Sequence, residues 1–331
     1  MRSVPAPAAE AVADAIPTRG NPREQHEHSS DDGHDGRKPK RYTERVHQRR
    51  KKHGDQNSNH VQSPFPDDFD GNHIIPSAPT NQSDLSIAVA AAQAAVQAAT
   101  EARRAPLRAR AKTVAADLVT DADAAAEQAA VAVIRRHRPD DAIVGEEGTD
   151  RGAADAARRW YIDGIDGTVS FANGLPGGWC SAVVLEDQQG AKVTAVQDPL
   201  DELYCAQRGH GATLNGEPIH LRDPRPLEQA HVALFLRQDR FVKPGVRESG
   251  HALLDATGLF RHAGPGSLEL AWVAAGRLDA WVQPETDPWD WLPGALLVTE
   301  AGGVAKVVEK QTRWHVAGPS ALVDALVSLL T

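Results

Sequence analysis

Apolar residues recur at helical spacing in two early segments of the chain. The first, SDLSIAVAAAQAAVQAATEARR, begins at polar Ser83 and runs towards Pro106. A Ser N-cap before an Ala-rich stretch predicts a helix of about 20 residues. The second begins near Thr120, with acidic residues in its first turn and Arg and His in its last, as the helix dipole favours. We therefore predict two consecutive helices joined by a loop that contains Lys112.

Shorter apolar runs follow, and they indicate strands. AIVGEEG is typical of a short strand that ends in two glutamates, and WYID of another. Between Gly178 and His220 the chain alternates strands with tight turns, and Asn215-Gly216 is a predicted hairpin turn. Further on, we predict helices over VRESGHALLDATG, LELAWVAAG, WDWLPGALLVTEAGG and PSALVDALVSLL, and strands over LDAWVQ, VAKVVEK and RWHVAG. Helices interleaved with mixed strands predict a layered α/β architecture.

Composition divides the chain near Ser83. Residues 1–83 contain few aliphatic residues and no Trp, whereas all seven Trp lie between Trp160 and Trp314. Burial of so few apolar side chains cannot offset the conformational entropy that this segment would lose on folding. We therefore predict a disordered N-terminal tail over 1–83. The tail has equal numbers of basic and acidic residues, so the rest of the chain carries the net charge of −9. About 250 residues are enough for one large core or two fused small ones.

Two segments of the tail have a chemistry of their own. The basic block 37–54 is typical of contact with nucleic acid or an anionic surface, and the His- and Asp-rich segment 26–36 could chelate a metal. Both are also typical of a solvated extension, which we favour. The acidic charge of the remaining chain argues against a nucleic-acid partner.

Cysteine content and hydropathy bear on the cellular compartment. Cys180 and Cys205 are the only cysteines, so no disulfide framework is indicated. No apolar run approaches the roughly 20 residues of a membrane span, and the N-terminus lacks an apolar core of signal-peptide length. We therefore expect a soluble, cytoplasmic protein without a membrane partner.

Acidic residues stand at the ends of three predicted elements. Glu146 and Glu147 end one strand, Asp163 and Asp166 end another, and Asp290 lies between two tryptophans where a helix begins. An acid flanked by indoles is expected to be partly buried, and it then needs a partner charge or a metal. Oxygen ligands of this kind suit Mg²⁺, and the amides after Asp166 could hold a phosphate. This combination predicts metal-assisted phosphoryl transfer to water.

Five motifs occur in a characteristic order. They are KTVAADLVTDAD (112–123), GEE (145–147), WYIDGIDGTVSF (160–171), DPLDELYCAQRGHGATLNG (198–216) and WDWLPGALLVTEAGG (289–303). In this order and spacing they resemble the inositol monophosphatase family of Mg²⁺-dependent, lithium-sensitive sugar phosphatases. The resemblance spans about residues 84–331, and RHAGPGSLELAWVAAGRLDAW resembles the family's substrate-side segment.

The resemblance implies a fold and an assembly. The fold would be a layered αβαβα sandwich of the sugar-phosphatase type, with an N-terminal α/β half over about 84–220 and a C-terminal α/β half over about 221–331. The motifs come from both halves, so the site is expected in the cleft between them. Family members are commonly homodimers, which implies a homodimer here.

The resemblance also implies ligands for two or three Mg²⁺ ions. Glu146, Asp163 and the carbonyl of Ile165 would hold the first ion. Asp163, Asp166 and Asp290 would hold the second, and a third, weaker site would again use Glu146. A shared Asp163 suits paired catalytic metals, which lie about 3.5–4 Å apart and need a bridging ligand.

Catalytic and substrate roles follow from the same motifs. Thr168 and Asp123 would orient the attacking water, and with Glu146 they would form the catalytic set. The amides of Gly167 and Thr168 would grip the phosphate, while Lys112 would lie near the metals on a mobile loop. Phosphate and substrate contacts are implied at Gly167, Thr168, Lys112, Gly264, Gly266 and Gln283.

The chain departs from the family pattern at four positions. Gly164 replaces the usual Pro between the two aspartates, which predicts a looser turn. Ser170 stands where Asn is usual, and Pro265 stands where Ser or Thr is usual. Gln283 occupies the position seven before Asp290 where many members have a sugar-binding Glu, although Glu285 could substitute in another loop register. The last two changes bear on the substrate more than on phosphatase chemistry.

Three classes of function are open at this point. We favour a phosphomonoesterase acting on a small polyol or sugar phosphate, with inositol 1-phosphate first and histidinol phosphate or fructose 1,6-bisphosphate as alternatives. The second class is an inactive metal-binding scaffold. The third is a nucleic-acid-associated protein that works through the basic tail.

Overall fold

The computed structural model of the protein describes residues 82–112, 118–153, 155–262 and 264–331. The tail predicted over 1–83 lies outside the described residues except for its last two. In the described ranges, no helix is both long enough and apolar enough to cross a membrane.

Helices α1 (Asp84–Ala102) and α2 (Asp121–His137) pack against each other. Ser83 caps α1 by accepting a hydrogen bond from the Ser86 amide at 3.1 Å, and Thr120 caps α2. Their contact faces consist mainly of buried alanines, whose small side chains let the helices approach closely. Both helices confirm the sequence prediction to within a few residues.

The first large sheet lies beside these helices. Its strands are β3 (Ala142–Gly145), β4 (Asp150–Arg151), β5 (Arg158–Asp166), β6 (Cys180–Asp187), β7 (Gly190–Gln197), β8 (Leu203–Gln207), β9 (Ala212–Leu214) and β10 (Glu217–Ile219). Their order across the sheet is β10-β9-β8-β7-β6-β5-β3-β4, and only β3 and β5 pair in parallel. A separate antiparallel pair, β1 (Ala109–Ala111) and β2 (Leu118–Thr120), flanks the segment that follows Lys112.

The second sheet comes from the later part of the chain. Its strands are β11 (His231–Leu234), β12 (Leu259–Arg261), β13 (Ala280–Pro284), β14 (Val304–Glu309) and β15 (Arg313–Gly318), in the order β12-β11-β13-β15-β14. The helices associated with this half are α4 (Gln238–Phe241), α5 (Val246–Ala256), α6 (Gly266–Ala274), α7 (Pro288–Glu300) and α8 (Ser320–Ser328). The short helix α3 (Thr168–Asn173) follows β5 directly.

Three hydrophobic clusters define five layers. The first cluster joins α1 and α2 to one face of the eight-stranded sheet. The second joins the other face of that sheet to α6 and α7, which also pack on the five-stranded sheet. The third joins the far face of the five-stranded sheet to α5 and α8. This αβαβα order confirms the predicted fold class.

Several short elements escaped prediction, namely β1, β2, β4, β11, β12, α3 and α4. Each is two to six residues long, which is too short for hydrophobic periodicity to register. Strand β1 is exposed along its whole length, so it also lacks the alternation of a half-buried strand.

Candidate active site

An irregularity in β5 brings its two aspartates together. Asp163 pairs with Ala182 of β6 and Asp166 with Cys180, so three steps along β5 match two along β6. Residues three apart in a regular strand face opposite sides of the sheet, and an extra residue on one strand reverses that relation. The bulge therefore allows both carboxylates to reach the same side.

Asp290 joins these aspartates from the first turn of α7. One carboxylate oxygen each of Asp163, Asp166 and Asp290 lies within 4.8 Å of the others. Oδ1 of Asp163 is buried and has no hydrogen-bond partner among the described residues. Three carboxylates this close repel one another, and either a proton or a bound cation would relieve that repulsion.

Burial and repulsion both act on the ionisation of this cluster. Burial, together with the charges of Glu146 and the other two aspartates, raises the pKa of Asp163 well above its usual range. Burial and the Asp166 charge likewise raise the pKa of Asp290. Burial also raises the pKa of Asp166, although the Ser267 amide donates a hydrogen bond to its Oδ2 at 2.7 Å. This oxygen-only, unneutralised donor set fits a hard divalent cation such as Mg²⁺.

The turn after β3 contributes two glutamates. Nζ of Lys112 donates a hydrogen bond to Glu146 Oε1 at 2.8 Å and another to Glu147. Burial raises the pKa of Glu146 and outweighs the attraction of Lys112. Burial also opposes the charge on Lys112, but the two glutamates prevail and raise its pKa. Lys112 therefore contacts a predicted metal ligand.

Glu127 of α2 is a buried carboxylate that the sequence analysis missed. It is 3% exposed, and its oxygens accept hydrogen bonds from the amides of Glu147 at 2.7 Å and Thr149 at 3.1 Å. Gly145 leaves room for it, because a Cβ at that position would lie 2.3 Å from Cδ of Glu127. Glu127 thus ties the turn that carries Glu146 to helix α2.

A pattern on α2 could have revealed Glu127. Asp123 and Glu127 lie one turn apart on the face that also buries Ala126 and Ala130. Two acids at this spacing within an alanine face are not solvated surface. Gly164 of β5 packs on this face, since a Cβ there would lie 2.7 Å from the Glu127 amide nitrogen. Glycine at this position therefore allows close helix packing, which the expectation of a looser turn did not foresee.

Asp123 and Thr168 meet between α2 and α3. Thr168 Oγ1 donates a hydrogen bond to Asp123 Oδ1 at 2.7 Å and lies 3.1 Å from the carbonyl oxygen of Ile165. Oδ2 of Asp123 accepts hydrogen bonds from the amide and the hydroxyl of Thr120 at 2.8 and 2.6 Å. The same carboxylate thus completes the capping box of α2 and fixes the Thr168 hydroxyl.

Gly167 begins α3 in a conformation that favours glycine. Its φ is 95°, and a Cβ would lie 2.6 Å from the carbonyl oxygen of Gly178. The amides in the first turn of a helix have no acceptor within that helix, so they are available to an anion. Gly167 and Thr168 both line the cavity described next.

One cavity of about 380 Å³ joins the predicted positions. Its lining includes the predicted metal, phosphate and substrate residues Glu146, Asp163, Ile165, Asp166, Gly167, Thr168, Gly264, Gly266, Gln283 and Asp290. Of the other predicted site residues, Asp123 contacts Thr168 and Lys112 contacts Glu146, and neither lines the cavity.

The wall on the substrate side contains residues that the sequence analysis missed. They belong to the segment before and within α4, namely Phe235, Leu236, Arg237, Gln238 and Arg240. No motif marks this segment, and arginine near a short helix is common at protein surfaces.

The position of the predicted sugar-binding residue is also clear. Gln283 lines the cavity, and its Oε1 is buried without a hydrogen-bond partner among the described residues. Glu285 has a φ of 51° and accepts a hydrogen bond from the Arg313 amide at 3.2 Å. It does not line the cavity, so Gln283 and not Glu285 is available to a substrate.

Comparisons with known proteins agree with this geometry. Residues 80–326 match the inositol monophosphatase family. The protein named Nus factor SuhB of Pseudomonas aeruginosa is 37% identical over 196 residues, which cover 57% of this chain and 72% of that protein. Inositol-1-monophosphatase of Rhizobium meliloti is 37% identical over 193 residues, which cover 57% of this chain and 71% of that protein. The solved structure of inositol monophosphatase from Anabaena (Nostoc) is 30% identical, with a TM-score of 0.64, and the match covers 74% of this chain and 94% of that one.

Proposed function

Because the chain belongs to the inositol monophosphatase family of Mg²⁺-dependent phosphoric monoester hydrolases, we propose that it releases phosphate from a small polyol or sugar phosphate. One observation carries the proposal. Asp163, Asp166 and Asp290 converge in a cavity that Thr168, the hydrogen-bond partner of Asp123, also lines. Such an arrangement serves to bind a divalent cation and to hold a water molecule near a phosphate.

The acids supply the metal ligands. Glu146, Asp163 and the carbonyl of Ile165 would hold one Mg²⁺, and Asp163, Asp166 and Asp290 a second. A third would share Glu146. When bound, Mg²⁺ lowers the pKa of water and stabilises negative charge on the leaving oxygen. The unpartnered Oδ1 of Asp163 and the repulsion within the cluster support these assignments.

Thr168 and Asp123 would orient the attacking water, with Glu146 completing the catalytic set. Asp123 is held by Thr120 and accepts a hydrogen bond from the Thr168 hydroxyl, so the oxygen of Thr168 presents lone pairs to a water molecule. The water would then donate a hydrogen bond to Thr168 Oγ1, which fixes the direction of its attack.

The phosphate would be bound by the amides of Gly167 and Thr168, next to the acid cluster. The leaving alcohol would then lie towards Gly264, Gly266 and Gln283 on the other wall of the cavity. Lys112 balances the charge of Glu146 and Glu147, and this is how it would influence phosphate binding.

Three substrates differ in the charge of the leaving group. Inositol 1-phosphate has a neutral leaving alcohol, histidinol phosphate a cationic one, and fructose 1,6-bisphosphate an anionic one. Inositol 1-phosphate is the reference substrate that family membership favours. The other two remain alternatives on the same catalytic frame.

A binding role without catalysis is the alternative class, and relatives named Nus factor SuhB bear a name that describes no enzyme. The complete set of acids and the Thr168–Asp123 pair support hydrolysis instead. A homodimer, a cytoplasmic location and the lack of a nucleic-acid partner stay predictions from the sequence.

Phosphate release from inositol 1-phosphate by the full chain tests the proposal. We expect release that requires Mg²⁺, stops with a chelator and returns when Mg²⁺ is added back. A panel of polyol, amino-alcohol and sugar phosphates extends the assay. If no member of the panel is hydrolysed, the scaffold alternative replaces the proposal.

A further inference from the structure

We infer that the leaving alcohol carries a second anionic group, a carboxylate or a phosphate, which Arg237 and Arg240 bind. The inference deepens the proposed function, on which it rests, by naming the charge class of the substrate. It begins from the ionisable residues that line the cavity.

The charges of the cavity lining are divided between its two sides. On the metal side are Glu146, Asp163, Asp166 and Asp290, and the other ionisable residues in the described part of the lining are Arg237 and Arg240. Bound Mg²⁺ would offset the four acids. Among the described residues, the charged side chains that remain on the wall for the leaving alcohol are both positive, which favours an anion and disfavours an ammonium group.

Both guanidinium groups are held in position by the protein. Nε and Nη2 of Arg237 donate hydrogen bonds to the two carboxylate oxygens of Asp239, each at 3.2 Å. Nη1 of Arg240 donates to the carbonyls of Pro284, at 2.6 Å, and Glu285. Asp239, which is also 3.7 Å from Nε of Arg240, does not itself line the cavity. Side chains fixed in this way lose little entropy when they bind an anion, and the guanidinium group suits the flat, two-oxygen face of a carboxylate or phosphate.

Gln283 complements the arginines. Its buried, unpartnered Oε1 can accept a hydrogen bond from a hydroxyl of the alcohol. An amide, unlike a carboxylate, does not repel a second anionic group. Pro265, in the same lining, has no side-chain donor or acceptor. The substrate class is therefore a hydroxylated small molecule with a phosphate ester and a second acidic group.

Matched substrate pairs test the inference. D-3-phosphoglycerate and glycerol 3-phosphate share a three-carbon skeleton and differ in a carboxylate, while fructose 1,6-bisphosphate and fructose 1-phosphate differ in a second phosphate. In at least one pair, we expect kcat/KM of the full chain to be about tenfold or more higher for the anionic member, which corresponds to one well-made charged contact. The pair with the larger ratio identifies the anionic group.

Variants of the wall assign the preference to its cause. In each pair for which the wild type prefers the member with the second anionic group, Arg237→Gln should bring the ratio of the two kcat/KM values close to one. The change should come mainly from a higher KM for that member. Gln283→Glu should lower the ratio as well, by adding a repelling charge. Arg240→Gln is less informative because Arg240 also braces the turn at 284–285. Lys243→Gln is the matched control, because Lys243 is exposed and lies outside the cavity lining, and its ratio should equal that of the wild type.

Two results overturn the inference. One is a wild-type ratio within twofold of one in both pairs, and the other is a ratio that Arg237→Gln leaves unchanged. Calorimetric binding of the same compounds, with Ca²⁺ in place of Mg²⁺, gives the comparison without turnover. An anionic preference in binding with no hydrolysis of any phosphate would thus contradict the proposed function alone, whereas hydrolysis without a preference contradicts this inference alone.

Discussion

The two sides of the cavity are held in different ways. The metal side is supported by Asp123 and Glu127, which do not line the cavity but are almost fully buried and together accept five hydrogen bonds from neighbouring amides and hydroxyls. On the opposite wall, Arg237 and Arg240 belong to or adjoin a four-residue helix and are braced by Asp239 and two carbonyls. The metal side is built into helix α2 and two strands, whereas the wall depends on a short local segment.

This difference separates the chemistry from the choice of substrate. Buried carboxylates tolerate little change, because each lost hydrogen bond leaves a polar group unsatisfied in the interior. A wall formed by a short segment can change its charge without disturbing the acids across the cavity. We therefore expect substitutions on the metal side to affect turnover of every substrate, and substitutions on the wall to affect some substrates only.

Asp166→Asn should have the largest effect. It removes one charge from the proposed second metal site, and we expect kcat/KM to fall about 10³-fold for all substrates, as when one charge-stabilising group is lost from an active site. The fold should persist, since the Asn carbonyl can still accept the hydrogen bond from the Ser267 amide. Steady-state phosphate release and a melting curve provide the measurements. Near wild-type turnover would contradict the two-metal assignment, and exposed Asp121→Asn serves as the control for a lost carboxylate.

Thr168→Val should rank second. It preserves the shape of the side chain but removes the hydroxyl between Asp123 and the proposed water, so kcat should fall about 10²-fold. Thr168→Ser keeps the hydroxyl and should retain most of the activity. If Ser and Val variants lose activity equally, the methyl group matters rather than the hydrogen bond, and the proposed role of Thr168 is wrong.

Glu127→Gln tests whether support of the metal side extends beyond the ligands. The amide offers one acceptor oxygen where the carboxylate offers two, so the amides of Glu147 and Thr149 cannot both keep their partners. The Mg²⁺ concentration for half-maximal activity should rise about tenfold, as for other groups that orient metal ligands. Asp150→Asn, at the exposed first residue of β4 just after this turn, should not change that Mg²⁺ concentration. A fall in melting temperature without a shift in Mg²⁺ dependence would indicate a purely structural role.

The sequence predicted the metal side far better than the wall, for physical reasons. The proximity of Asp163, Asp166 and Asp290 could be predicted because their motifs, in this order and spacing, resemble those of one family. Their role as metal ligands stays a prediction. The spacing of Glu127 and Asp123 within an alanine face of α2 indicates that Glu127 is buried. Its contact with the turn that carries Glu146 could not be predicted, because that contact depends on how Gly145 packs against α2.

The wall shows the other limit of prediction. Arg237 and Arg240 lie in a segment with no periodicity, and their place in the cavity depends on how the five-stranded sheet packs beside α6. Hydrophobic patterning predicted the long helices and most of the strands, because those elements bury a continuous face. It did not reveal most of the elements of two to six residues, which tertiary contacts stabilise.

The smallest effect concerns stability without metal, and it should have opposite signs for two changes in the same cavity. Asp290→Asn removes a charge from a cluster of repelling acids, so the metal-free variant should be more stable than the wild type by about 1 kcal/mol, or 2–4 °C in Tm. Gln283→Glu adds a buried charge and should lower the metal-free Tm by a similar amount.

Adding Mg²⁺ should raise the Tm of the wild type more than that of Asp290→Asn, because the variant has lost a ligand. Thermal melts with a chelator and with Mg²⁺ measure both effects. The contradicting result would be a metal-free Asp290→Asn protein that melts below the wild type. Asp290 would then stabilise the fold by itself. The metal side would in that case owe its stability to its own hydrogen bonds rather than to a bound cation.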